Sequence, residues 1–247
     1  MREDSKFNKA IRNSIWIFII ALAITFICLI ILKYHVEGEQ NMPFEVKEFL
    51  VVSTAEGYQK KEAKKNNWEV EIYQTNDIYI NIKKNKNYKS TEIIKSIRIE
   101  NIHIDNEPKQ GEIEIFIPSS DEQVYNYKEK YKIENEITYE GDTKSDLKNL
   151  KISNQGGTIT FRILNKTGKE YISNDDELRH DGTLLNKVNL STEDIRTEVS
   201  FDIIINLESD ISFFGNVTLQ LPTGNIETQG ITSLDKKDIE NIIFKRE

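Results

Sequence analysis

Hydrophobic residues are distributed along this chain in two different ways. From Ser14 to Leu32 they are continuous: SIWIFIIALAITFICLIIL holds no charge, proline or glycine over nineteen residues. As a helix the run spans roughly 28 Å, close to the ~30 Å hydrocarbon core of a bilayer. Eight Ile, three Leu and two Phe, at about −0.3 to −0.6 kcal/mol each, give an insertion term on the order of −6 kcal/mol. A soluble core covers one face of a helix, so nothing in a soluble fold requires a helix apolar on every face. The run predicts a transmembrane helix at 14–33, preceded by a short tail at 1–13 and followed by a stalk at 34–42. Ten extended residues after the span would reach at most about 35 Å.

From Pro43 onward apolar residues alternate with polar ones, the period of a half-buried strand. Phe44–Thr54 is the first such run. Trp68, Val70 and Ile72 lead through QTND to Ile78, Ile80 and Ile82, a pattern that predicts a hairpin. Ile97 and Ile99 lie on one phase, Ile102 and Ile104 on the other, which requires a bulge near Glu100 and Asn101. Ile113, Ile115 and Ile117 stop at Pro118, and weaker strands are expected over 131–139 and 147–152. After Gly156 and Gly157 alternation resumes at Ile159, Phe161 and Ile163, then from Val199 to Leu207, then from Val217 to Leu221. DIENIIFKR closes the chain as a last strand.

The two halves carry similar strings. IEIFIPSS (Ile113–Ser120) recurs as VTLQLPTG (Val217–Gly224), and DLKNLKI (Asp146–Ile152) as DIENIIF (Asp238–Phe244). The predicted fold is therefore an all-β exported body behind one N-terminal transmembrane helix. Its architecture is a β-sandwich of immunoglobulin-like size, either one large sandwich or two in tandem at 43–154 and 155–247. The Cys-Trp-Cys hallmark of true immunoglobulin domains is absent.

Charge sets the expected orientation. Arg2, Lys6, Lys9 and Arg12 precede the span, and Glu37 and Glu39 follow it, so the N-terminus is expected in the cytoplasm and the body outside. The apolar run exceeds the 7–15 residues usual in a cleaved signal peptide and no small-x-small site follows, which favours an uncleaved signal-anchor. Beyond Lys33 there are 28 basic and 39 acidic residues, a net charge of −11. Such a body gains no counterion-release energy from a polyphosphate, so nucleic acid is not an expected partner. Cys28 is the sole cysteine and lies inside the span, leaving the body without disulfides or thiolate ligands.

Candidate chemistry is sparse. NDDELRHDG (Asn174–Gly182) gathers Asp175, Asp176 and Asp181, hard oxygen ligands suited to calcium, though without EF-hand spacing. Tyr125, Tyr127 and Tyr131, with Trp68, could form an aromatic platform for sugar rings or a partner. His35, His103 and His180 have no metal-site spacing. There is no G-x-S-x-G, H-E-x-x-H or glycine-rich phosphate loop, and no carboxylate pair stands out as acid and base. The expected function is non-enzymatic: an interaction module of the cell envelope, held in the membrane by its helix and binding an envelope or membrane protein. The alternative is a ligand-binding domain at the membrane surface for cell-wall glycan or calcium.

Overall fold

A computed structural model describes residues 2–40, 42–60, 68–88, 90–121, 123–174, 183–238 and 242–246; side chains are described for 12–31 of the first helix and not for Trp68 or Asp238. That helix, α1 (Arg2–Gln40), is continuous. Every residue from Arg12 to Ile31 is exposed, so none of the described residues covers the apolar surface of this stretch. It is the one helix among the described residues long and apolar enough to cross a membrane. The stalk is helical as far as Gln40, so from Leu32 to Gln40 the chain advances about 12 Å, against roughly 28 Å for an extended segment.

Among the described residues twelve strands follow: β1 (Phe44–Gln59), β2 (Trp68–Lys84), β3 (Ile94–Asn106), β4 (Glu112–Phe116), β5 (Lys132–Ile133), β6 (Ile137–Asp142), β7 (Lys151–Ser153), β8 (Gly156–Ser173), β9 (Glu198–Leu207), β10 (Ser212–Gln220), β11 (Ile231–Asp235) and β12 (Lys245–Arg246). Two single-turn helices, α2 (Leu184–Lys187) and α3 (Ile226–Gln229), interrupt the second half. The strands form two six-stranded sheets, in the orders β11-β1-β2-β8-β4-β5 and β12-β10-β9-β3-β6-β7. All pairings are antiparallel except β6 with β7.

The tandem division at 154/155 does not hold, because strands from both halves interleave in each sheet. β8 lies between β2 and β4, and β9 between β3 and β10. Ile80, Ile99 and Ile115 share one core cluster with Ile159, Phe201, Ile203 and Leu219, a cluster expected to be split between two domains. Phe201 of the second sheet is the clearest link: its ring lies 6.3 Å from Phe49 and 5.4 Å from Phe161, both in the first sheet. SNQGG, read as a boundary, is the tight crossing from β7 in one sheet to β8 in the other. Gly156 has φ +106°, and a Cβ there would lie 2.4 Å from the Ile82 carbonyl oxygen. Only glycine lets β8 begin so close to β2. The recurring strings end in different sheets, β4 in the first and β10 in the second. Their likeness reflects a shared local task, a strand running into a proline. With six strands per sheet, the body also exceeds the three to five per sheet of immunoglobulin domains.

Other expectations fare unevenly. The bulge between Ile99 and Ile102 is present: Asn101 takes φ +53°, and the register against β9 slips between Glu100 and His103. Ile97, Ile99 and Ile102 are all buried as a result. The hairpin at QTND is absent, and residues 68–84 form one strand. No glycine or proline is there to turn the chain, and each polar residue has a partner in the sheet. Asn76 accepts from Ser53 Oγ and donates to the Ile163 carbonyl at 3.2 Å, while Asp77 binds Arg162.

β1, β2 and β8, at 16 to 18 residues, are far longer than the usual five or six. Their far ends carry a second small core of Ala55, Val70 and Ile72 packed on Leu184, Leu185, Leu190, Ile195 and Ile226. Between the two cores the inward positions are polar and fully buried: Ser53, Gln74, Asn76 and Asn165. Asn165 donates to the Gln110 carbonyl at 3.2 Å. A Cβ on Gly111 would sit 1.9 Å from Asn165 Oδ1, so glycine is what admits the amide.

Candidate functional site

The densest chemistry among the described residues lies on the outer face of the first sheet. Phe161 and Ile163 point into the core, so by strand alternation Arg162 points outward. Its side chain is nonetheless only 13% exposed. Between β4 and β5, residues 117–121 and 123–131 fold back over this face and bring Tyr125 and Tyr127 onto the guanidinium. The Arg162 ζ-carbon stands 4.4 Å from the Tyr125 ring centre and 6.0 Å from that of Tyr127. Nε and Nη2 donate to the two oxygens of Asp77 at 2.6 and 2.8 Å, a bidentate pair, and Nη1 donates to Tyr127 Oη at 2.8 Å. Glu56, on the neighbouring strand, stands 4.0 Å from Nη2 and accepts from Thr75 Oγ1 at 3.2 Å.

The covering segment has its own packing. Tyr125 is buried with its hydroxyl 2.8 Å from Thr160 Oγ1, and Tyr131 is buried with its hydroxyl 2.8 Å from Ser120 Oγ. Both join Tyr73, Phe116 and Leu164 in a third apolar cluster. Three rings reach the rim of the site: Tyr58 stacks on Tyr73 at 5.4 Å, and Tyr127 meets both edge-on at 6.3 and 5.8 Å. Tyr58 is 49% exposed.

The tyrosine hydroxyls and the guanidinium of the site hold their protons near neutrality. Burial pushes the Tyr127 hydroxyl up to about 12, with Arg162 pulling the other way. Burial raises Tyr125 and Tyr73 further still. For Arg162, burial alone would favour deprotonation, but the hydrogen bonds and charge of Asp77 reverse this and hold the cation firmly. Arg162 and Asp77 thus neutralise each other, and Glu56 leaves the cluster with a net negative charge beside an exposed ring. Such a surface can take the C–H face of a sugar or a cationic group.

The sequence-derived candidates are only partly brought together. Of Tyr125, Tyr127 and Tyr131, only Tyr127 reaches the rim; the other two anchor the covering segment, as ordinary packing would have them. Tyr58, Tyr73 and Arg162 carry little signal in the sequence beyond the outward alternation of Glu56 with Tyr58 and of Arg162 between two core residues. Asp175, Asp176 and Asp181 lie outside the described residues, as does His180. Among the described residues no group of three or more His, Cys, Asp or Glu could hold a metal ion. His103 is exposed, 3.9 Å from Asp105. Comparison with protein-family models, curated proteins and solved structures found no match to this chain.

Proposed function

We propose that the chain is a single-pass, membrane-anchored protein whose β-rich body is a non-enzymatic interaction module outside the cytoplasmic membrane. The observation that carries this reading is α1, apolar on all sides and exposed throughout Arg12–Ile31. Twenty such residues left in water would expose a patch far larger than soluble monomers carry. The body has surfaces suited to a partner. β4 flanks β8 only as far as Lys166, and beyond it β8 has no strand on that side among the described residues. Ile172 on that stretch is 67% exposed. An extended segment of another envelope protein could add there by backbone pairing. The test combines carbonate extraction of membranes, a reporter fused after Glu247, and crosslinking of the full-length chain from Lys169. Retention in the membrane, an exported reporter and a discrete crosslinked partner are expected. Release of the protein by carbonate would defeat the anchor.

The Tyr58–Tyr73–Tyr127 corner favours a second reading, a subsite for cell-wall glycan. Soluble muropeptide fragments should then protect Tyr58, and Tyr58→Ala should abolish binding. The calcium reading of Asp175, Asp176 and Asp181 stands as a separate proposal: calcium should raise the melting temperature of the full chain, and an unchanged midpoint with and without chelator would end it.

A further inference from the structure

The chain leaves α1 at the start of β1 and returns to it at the end of β2. Phe44 is registered opposite Lys84 across the antiparallel β1–β2 pair, so the loop after β2 stands beside the segment that follows α1. Asn85 ties the two together: its backbone N–H donates to the Pro43 carbonyl at 2.9 Å and its Nδ2 to the Met42 carbonyl at 3.2 Å. Asn85 Oδ1 in turn accepts from the Asn87 N–H at 2.9 Å, and its carbonyl from the Tyr88 N–H at 3.1 Å, which fixes the shape of the loop. Pro43 lies three residues beyond the end of α1, within about 11 Å of it by chain length, and the loop is held to Pro43. The backbone of α1 also runs close to that of β12, so the body sits beside the helix end. From Leu32 to Gln40 α1 rises about 12 Å, of which a headgroup layer takes up roughly half.

Charge sets this end of β2 apart. The protein carries a net charge of −8, yet from Ile78 to Thr91 there is no Asp or Glu and there are four Lys, at 83, 84, 86 and 89. Lys83 and Lys86 are exposed, and neither is ion-paired with a described carboxylate. Lys84 Nζ stands 6.0 Å from the centre of the Phe44 ring. Two acids flank the loop: Glu45, registered opposite Lys83, and Glu92, which accepts from Ser209 Oγ at 2.7 Å. The lysines therefore leave a local positive excess on a body that an anionic surface would otherwise repel. The Tyr88 ring beside them is 36% exposed, and such a ring, apolar with a polar tip, favours the headgroup level of a membrane.

We propose that the loop after β2 is the surface on which the body rests against the membrane, with Lys83, Lys84 and Lys86 on anionic phospholipid headgroups and Tyr88 at the interface. The proposal rests on the membrane-anchor reading of α1. A tether alone leaves the body free to tumble. Each lysine near an anionic surface favours the resting state about fivefold, and the effect fades beyond a Debye length of about 8 Å. In the resting state β1 leads away from the membrane and carries Tyr58 up to about 45 Å from the loop, toward a partner outside.

Energy transfer in nanodiscs tests this. In a Cys28→Ala background, a donor dye on Asn87→Cys of the full-length chain is paired with an acceptor on a headgroup-labelled lipid. A donor on Glu193→Cys, near Ile195 of the small second core, serves as reference. Transfer from position 87 should rise when phosphatidylglycerol is added to phosphatidylcholine discs, and fall again with salt; transfer from position 193 should not rise. Lys83→Gln/Lys86→Gln should lower the ratio of resting to free body about 25-fold, with a melting curve showing that the variant is folded. Equal transfer in both lipids, a rise at both positions, insensitivity to salt, or a folded double variant that responds like the parent would overturn the proposal. Co-elution of the protein with the discs reports on the anchor separately. Without insertion both readings fall; insertion without lipid-dependent transfer removes this one alone.

Discussion

Asp77→Ala is the sharpest perturbation of the outer-face cluster. It removes two of the three acceptors of a guanidinium that is 13% exposed, from a carboxylate that is itself 16% exposed. Breaking a buried pair from one side costs about 3–5 kcal/mol, because the remaining charge is left without compensation. Two features place this pair at the low end of that range. Glu56 remains 4.0 Å from Nη2, and Tyr127 Oη still accepts from Nη1. We expect a loss of about 3 kcal/mol, a large share of the roughly 5–15 kcal/mol typical of a folded domain. The double variant Asp77→Leu/Arg162→Met replaces the pair with apolar groups of similar size beneath Tyr125, and should fall within about 1–2 kcal/mol of the parent. Urea unfolding of the full-length chain in detergent, followed by tyrosine fluorescence, completes the double-mutant cycle. A cost below about 1 kcal/mol for Asp77→Ala, or a double variant as unstable as the sum of its singles, would refute the account of a desolvated, mutually dependent pair.

Three further outcomes follow from the same geometry. Phe201→Ala empties the space between Phe49 and Phe161 and should cost about 3–5 kcal/mol while shifting a single cooperative transition; two transitions, only one of them moved, would contradict the shared core. Gly156→Ala forces a Cβ toward the Ile82 carbonyl at positive φ and should cost at least about 1–3 kcal/mol, seen as a lower urea midpoint at unchanged slope. Glu114 tests pH dependence. Burial raises its pKa, but Lys132 and Lys166 outweigh burial and hold it below the usual 4.5, so its contribution is present above that value and is lost as pH falls through the lower folded value. The melting temperature of Glu114→Gln should therefore lie below the parent at about pH 6, and the gap should narrow as pH falls below the usual carboxylate range; a constant gap would count against the ion pairs.

What the sequence determined by itself was local. Nineteen uncharged, mostly apolar residues suffice to specify the middle of α1, since a helix satisfies its own backbone and needs no partner, but not its extension to Arg2 and Gln40. Alternation placed β1, β3, β4, β8, β9 and β10 and their inward residues, because a strand's two faces depend only on parity. The phase change at Asn101 was legible for the same reason. Tertiary structure alone decided what each strand pairs with. Equal alternation fits one sandwich or two, and the choice rests on contacts between Phe49, Phe161 and Phe201, which lie far apart in the chain. QTND looks like a turn until Ser53, Arg162 and the Ile163 carbonyl are brought beside it and bind its polar groups within a strand. The Arg162 cluster was hidden in the same way: its parts come from β1, β2, β8 and the segment after β4, and no spacing within any one of them encodes their meeting.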